Sequence, residues 1–164
     1  MKRFLILLLC LFLLSGCKAE TDSAYQNASF SVVLPDNFRP AENTSVVCFA
    51  PYGDPLLSSS ITFYTTELNW YFDSFTADEY ADALTSLCGY DSLAVEAVTA
   101  CRIDGYDARR IACKVQIDQG THDLIIYAIS ADRCCFMILL NREGDSYVND
   151  FDTMMNSFHL KGKQ

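Results

Sequence analysis

Apolar and polar positions change period several times along the 164 residues of the chain, and each change marks an expected element. The first is an unbroken apolar run from Phe4 to Leu14, set between Lys2-Arg3 and Ser15-Gly16-Cys17. Lys18 to Ser29 is polar, small-residued and without apolar periodicity, which predicts a flexible tether. At Phe30 alternation begins: Phe30, Val32 and Leu34 interleave with Ser31 and Val33 until Pro35-Asp36-Asn37 stops the run, which predicts a short strand and a turn. Thr44–Ala50 and Ser60–Thr65 are further strand expectations. Between them Pro51 and Pro55 forbid a continuous ladder.

Thr76-Ala77-Asp78-Glu79 has the spacing of a capping box, in which the Thr76 hydroxyl accepts from the Glu79 N–H and the Glu79 carboxylate reaches back to the Thr76 N–H. A helix should start there, with Tyr80, Ala83, Leu84, Leu87 and Cys88 on one face and Gly89 as its stop. From Leu93 the chain reads as four strands joined by turns at Asp104–Asp107, Asp118–Thr121 and Ala131–Arg133, each short enough only for antiparallel neighbours. Leu124–Ile129 and Cys134–Leu140 are apolar at nearly every position, so both faces of this sheet must be covered. The second cover is a helix over Tyr147–Phe158, with Phe151, Met154, Met155 and Phe158 at helical spacing and Asp145 or Ser146 as its cap. The expected fold class is α+β: an antiparallel β-sheet with amphipathic helices packed on its two faces, a three-layer sandwich.

The opening run then acquires a meaning. At 11 residues it is too short to span a bilayer, which takes about 20, and its cationic start and small-residue end are the layout of a secretion signal. Leu14-Ser15-Gly16-Cys17 resembles the lipobox of bacterial lipoproteins, which implies cleavage before Cys17 and a diacylglyceryl group on its thiol. Two acyl chains hold a protein on a membrane where one is marginal. The expected organisation is a signal at 1–16, a lipidated Cys17 and tether at 17–29, and a single domain at 30–160, on the extracytoplasmic face of a cell membrane. Losing Lys2 and Arg3 with the signal takes the formal charge from −9 to −11. No nucleic-acid footprint is present, and anionic lipid would repel the domain, so the expected membrane partner is reached through the lipid alone.

Three landmarks resemble those of the photosystem II extrinsic subunit P family, called PsbP-like, and occur in its order. They are the opening strand and Leu-Pro turn Phe30–Phe38, the Gly-aromatic hairpin Ile103–Arg110, and the closing helix Phe151–Phe158 with its Ser-Phe ending. The resemblance covers Phe30 to Leu160 and implies the same three-layer sandwich. None of the three is a catalytic signature, and since members of that family mostly act as accessory or assembly proteins, such a role is all that the resemblance implies about function.

Residues that could carry chemistry are few. Asn69–Phe75 is the most aromatic stretch, and it reads either as an exposed docking loop for an envelope protein, with Trp70, Tyr71 and Phe72 as candidate contacts, or as a loop folded back over the core. Asp78, Glu79 and Asp82 sit where a helix dipole favours carboxylates anyway. Besides Cys17, six cysteines remain in the domain: Cys48, Cys88, Cys101, Cys113, Cys134 and Cys135. Export makes disulfides the first reading. With hairpin loops at Gly105-Tyr106, Gln119-Gly120 and Ala131-Asp132, Cys113 falls beside Ile126, Ile126 beside Met137, and Cys135 beside Ala128. Cys113 and Cys135 are then about 10 Å apart, too far to bridge, and Cys101 faces the opposite side. A bridge from Cys48 or Cys88 to a sheet cysteine stays open among 15 pairings.

No Cys-x-x-Cys occurs, and His122 and His159 have no second ligand at metal-site spacing, so no metal and no cofactor is expected. Neither His is tied to a thiol and an orienting carboxylate, nor does a nucleophile elbow follow a strand, so no catalytic residue is assigned. The expected function is a membrane-anchored, non-enzymatic binding or accessory domain; the alternative is a small-ligand or divalent-cation binder that uses the acidic loops.

Overall fold

The computed structural model describes residues 24–42, 46–53, 59–66, 75–90, 92–117, 120–131, 134–142 and 147–161. In chain order the elements are β1 (Ala24–Gln26), β2 (Phe30–Val33), β3 (Phe38–Pro40), β4 (Val47–Pro51), β5 (Ser60–Thr66), α1 (Ala77–Cys88), β6 (Ser92–Ile103), β7 (Tyr106–Ile117), β8 (Gly120–Ala131), β9 (Cys134–Arg142), α2 (Val148–Asn156) and β10 (His159–Leu160). The expected α+β class holds. Seven strands form one antiparallel sheet in the order β3-β4-β5-β9-β8-β7-β6, and β1-β2-β10 form a second, small one.

Alternation along each strand sorts the core into two clusters, one on each face of the large sheet. On one face Tyr80 and Leu84 of α1 close over Ile111, Cys113, Ile126 and Met137. On the other, Phe151, Met154 and Met155 of α2 close over Ile125, Ile129 and Leu140, and are joined there by Phe30, Val32 and Leu160 of the small sheet. The second cover is thus a helix and a sheet side by side, which extends the expected helix-sheet-helix arrangement. Phe30 stacks on Phe63 at 4.7 Å and 12° between planes, locking the small sheet to the large one.

Both helix boundaries follow from local chemistry. Thr76 accepts from the Glu79 N–H at 3.3 Å while the Thr76 N–H donates to the Glu79 carboxylate at 2.7 Å, and Gly89 closes α1 at φ 71°. At α2 Tyr147 holds the N-cap position at φ 62° and its own side chain makes no capping hydrogen bond; the expected caps Asp145 and Ser146 lie outside the described residues. The Tyr147 carbonyl starts the ladder by accepting from Phe151 N–H at 2.8 Å.

Ala24–Gln26, placed in the tether by polarity, forms β1 and pairs antiparallel with β2, Tyr25 opposite Val32. Polarity missed it because only Tyr25 turns inward, where its ring meets Phe49 edge-on at 4.7 Å. The hairpin registers also need correction. The loop at Asp104-Gly105 has φ 50° and 82°, both in the left-handed region that a type I′ turn demands, and the pair that closes it is Ile103–Tyr106. In the next two hairpins the closing pairs are Ile117–Gly120 and Ala131–Cys134, so Cys113 lies opposite Leu124, not Ile126, and Cys135 opposite Ser130, not Ala128. The side-chain faces are those expected, because each loop is displaced by one residue and each pairing by two.

Candidate functional site

Cys17, Trp70, Tyr71 and Phe72 lie outside the described residues, as does most of the 69–75 stretch. Its last ring is described: Phe75 is half-buried and meets Tyr80 of α1 edge-on, 5.3 Å between centroids. That end of the aromatic stretch therefore belongs to the core beneath α1.

Cys88 and Cys113 are set for packing and not for nucleophilic work. Cys48, Cys88, Cys101 and Cys113 are free thiols. Burial pushes the Cys88 thiol up to about 11 and Cys113 up to about 12, so neither supplies a thiolate near neutrality. Cys113 and Cys135 are separated by β8 and lie toward opposite ends of it, level with Leu124 and Ser130. Cys48 accepts a weak hydrogen bond from the Thr62 hydroxyl at 3.7 Å. Among the described residues no group of three or more His, Cys, Asp or Glu side chains is placed to hold a metal ion.

Two polar clasps tie α2 and the C-terminal strand to the large sheet. Arg110 on β7 donates from Nε and Nη2 to the two carboxylate oxygens of Asp152 on α2, and the Tyr127 hydroxyl on β8 donates to the same carboxylate at 2.9 Å. Burial, and then the Asp152 carboxylate that its hydroxyl contacts, raise the Tyr127 phenol well above its ordinary value. At the β6–β7 turn, Asp104 accepts from the Leu160 N–H at 2.8 Å through one oxygen and meets His159 Nδ1 at 2.9 Å through the other. Each carboxylate is consumed by its neighbours, as structural fasteners are.

A cleft of about 380 Å³ lies between the end of β2 and α2, lined by Val33, Leu34, Pro35, Asp36, Asp150, Thr153, Met154 and Ser157. Ser157 braces it: its hydroxyl accepts from the Val33 N–H at 2.9 Å and donates to the Met154 carbonyl at 2.7 Å. Met154 and Leu34 make an apolar floor, while Asp36 and Asp150 stand exposed. Such a lining can hold a small cationic or amphipathic group. It offers no paired acid and base. Pro35-Asp36 is the turn expected after β2 and Asp150 falls within the helix expected over Tyr147–Phe158; only the approach of β2 to α2, over 100 residues apart in the chain, brings them together.

No family model matches the chain, and no curated protein matches it. Solved structures do. Cyanobacterial PsbP (CyanoP) from Synechocystis sp. PCC 6803 superposes with a TM-score of 0.61 at 14% identity, over 91% of this chain and 99% of that one. PA94, a Pseudomonas aeruginosa protein of unknown function, superposes with a TM-score of 0.56 at 14% identity, over 85% of this chain and 97% of that one. A Bacteroides thetaiotaomicron structure gives 0.51 at 10% identity, covering 82% of this chain and 46% of the other. The chain has a PsbP-like α+β fold.

Proposed function

We propose that this chain is a membrane-tethered, extracytoplasmic accessory domain without catalytic activity, whose work is to hold a partner protein of the cell envelope close to a membrane. The observation that carries the reading is Leu14-Ser15-Gly16-Cys17 at the end of a short apolar run, ahead of a domain with a PsbP-like fold. No described helix is long and apolar enough to cross a membrane, and a lipidated Cys17 would supply attachment without one. Fold alone does not choose an activity, and the Asp104 and Asp152 carboxylates and the buried thiols are engaged in fastening and packing. Trp70, Tyr71 and Phe72 are the proposed contacts for the partner. Pull-down from the protein's own membranes, with Cys17 intact, is expected to recover a stoichiometric envelope protein; recovery of lipid and no protein would end the accessory reading.

A second reading is favoured by one observation, the cleft with Asp36 and Asp150 at its mouth. There the domain would bind a divalent cation or a small cationic ligand. A specific ion stabilises by RT ln(1 + [L]/Kd), whereas an acidic surface that is merely screened responds shallowly to any salt. Calcium titration followed by melting temperature separates the two: a saturating rise abolished by Asp36→Asn with Asp150→Asn supports the cleft, and an equal response to sodium removes it.

A further inference from the structure

The two edges of the large sheet are built differently. The β3 edge is three residues long and ends on Pro40, which has no N–H to give, so it cannot extend a ladder. β6, at the other edge, runs for twelve residues with neither Pro nor Gly. Glu96, Ala97, Val98, Thr99 and Ala100 are all exposed, Val98 at 39%, so neither face of the strand is covered there. A long exposed edge of small and apolar residues is a template for another strand. Two charges bracket it: Glu96, at a bulge where it pairs with Lys114 at 2.7 Å, and Arg102, beside Asp107 at 3.5 Å. Between them Ala97–Cys101 carries no charge.

The direction of the free backbone groups follows from the hairpin. The pair closing a two-residue loop is hydrogen-bonded, here Ile103 with Tyr106, and alternation then points the N–H and C=O of Val98 and Ala100 away from β7. We infer that this edge docks a second copy of the same chain, β6 against β6, antiparallel about a two-fold axis at Thr99. In that register Val98 of each copy lies opposite Ala100 of the other, Ala97 lies opposite Cys101, and each Arg102 comes level with Glu96 of the second copy. Charge complementarity selects the register: centring on Val98 would set Arg102 level with Ala94, and centring on Ala100 would set it level with Val98. An isologous contact of this kind closes on itself and does not propagate. Each copy carries a formal charge of −9 over the full sequence and −11 without residues 1–16, so long-range repulsion opposes the approach and salt, by screening it, should strengthen the pairing.

The test uses the full chain with Thr99→Cys in a Cys101→Ala background, under mild oxidation. Directly opposed residues of an antiparallel pair have Cα atoms about 4.5–5.5 Å apart, within disulfide reach, so a disulfide-linked homodimer is expected. Ser130→Cys, exposed on β8 and made together with Cys135→Ala to remove the thiol directly opposite it, should stay monomeric. Adding Val98→Pro removes an outward-pointing N–H without touching the β6–β7 ladder, and should bring cross-linking down to the Ser130→Cys level. Val98→Lys, which seats like charges diagonally across the axis, should do the same if Val98→Pro fails to fold. The dimer fraction of the unmodified chain should rise between 0.05 and about 0.5 M salt. A monomeric Thr99→Cys chain, equal cross-linking of Ser130→Cys, or capture of a different protein at position 99 would each overturn the inference.

Discussion

Arg110 on β7 and Asp152 on α2 meet as a two-pronged pair, Nε to Oδ1 at 3.0 Å and Nη2 to Oδ2 at 3.1 Å, with the Tyr127 hydroxyl on the same carboxylate. Apolar packing alone lets α2 slide over the sheet; this clasp fixes where Met154 and Ser157 stand and hence the shape of the cleft.

Removing one side of the clasp should therefore cost stability. The side chains keep 27% and 38% of their exposure, so Asp152→Ala should cost about 1–2 kcal/mol, less than the about 3–5 kcal/mol of a broken, fully buried pair. Tyr127→Phe should cost about 1 kcal/mol. Urea unfolding of the single and double variants measures both, and equal midpoints for Asp152→Ala and the parent would show that the clasp is idle.

The capping box predicts a pH dependence with a defined sign. Hydrogen bonds from the Thr76 N–H and hydroxyl hold the Glu79 carboxyl below its ordinary value of 4.5. A depressed folded pKa means stability that is present above the unfolded value and lost as pH falls through the folded one. Glu79→Gln should accordingly lower the urea midpoint at pH 7 and leave it unchanged once the pH is well below 4.5. Thr76→Ala should cost about 1 kcal/mol at pH 7. A Glu79→Gln deficit that persists in acid would show that the ionised carboxylate is not the capping species.

How far these features could be read from residues alone depended on whether they were local. The capping box at Thr76, the αL stop at Gly89 and the opposite facing of Cys101 and Cys113 follow from spacing and alternation. Register did not follow: Asp104-Gly105 was the turn, and setting the loop one residue later keeps every face while exchanging every neighbour. The small sheet was illegible because its pairs join Phe30 to Leu160 and Ser31 to His159, and nothing in either short segment announces the other. The cleft between Asp36 and Asp150 depends on that pairing and was illegible for the same reason.

The buried thiols predict an alkaline limit. Cys88 ionises at about 11 in the fold against an ordinary 9.0, so the unfolded chain releases its proton first and stability falls as pH rises from about 9 to about 11. Cys88→Ala should flatten part of that fall. In the native protein at pH 8, alkylation of Cys88 and Cys113 should be slow, and complete only after denaturation. Rapid modification of Cys113 in the folded chain would contradict its place beneath α1.

For the aromatic stretch, the docking and core readings separate by substitution. If the Trp70 ring contacts a partner, Trp70→Ala should weaken capture with little change in melting temperature; if it is core, the same change should cost about 3–5 kcal/mol. A large drop in melting temperature would discard Trp70 as a docking residue.

Attachment at Cys17 is what makes the domain membrane-tethered, and metabolic labelling with a fatty-acid analogue tests it directly. The parent chain should be labelled and sediment with membranes. Cys17→Ser should be unlabelled, with the domain from Phe30 onward folded as before. Label that still marks the Cys17→Ser protein would contradict the membrane-tethered reading.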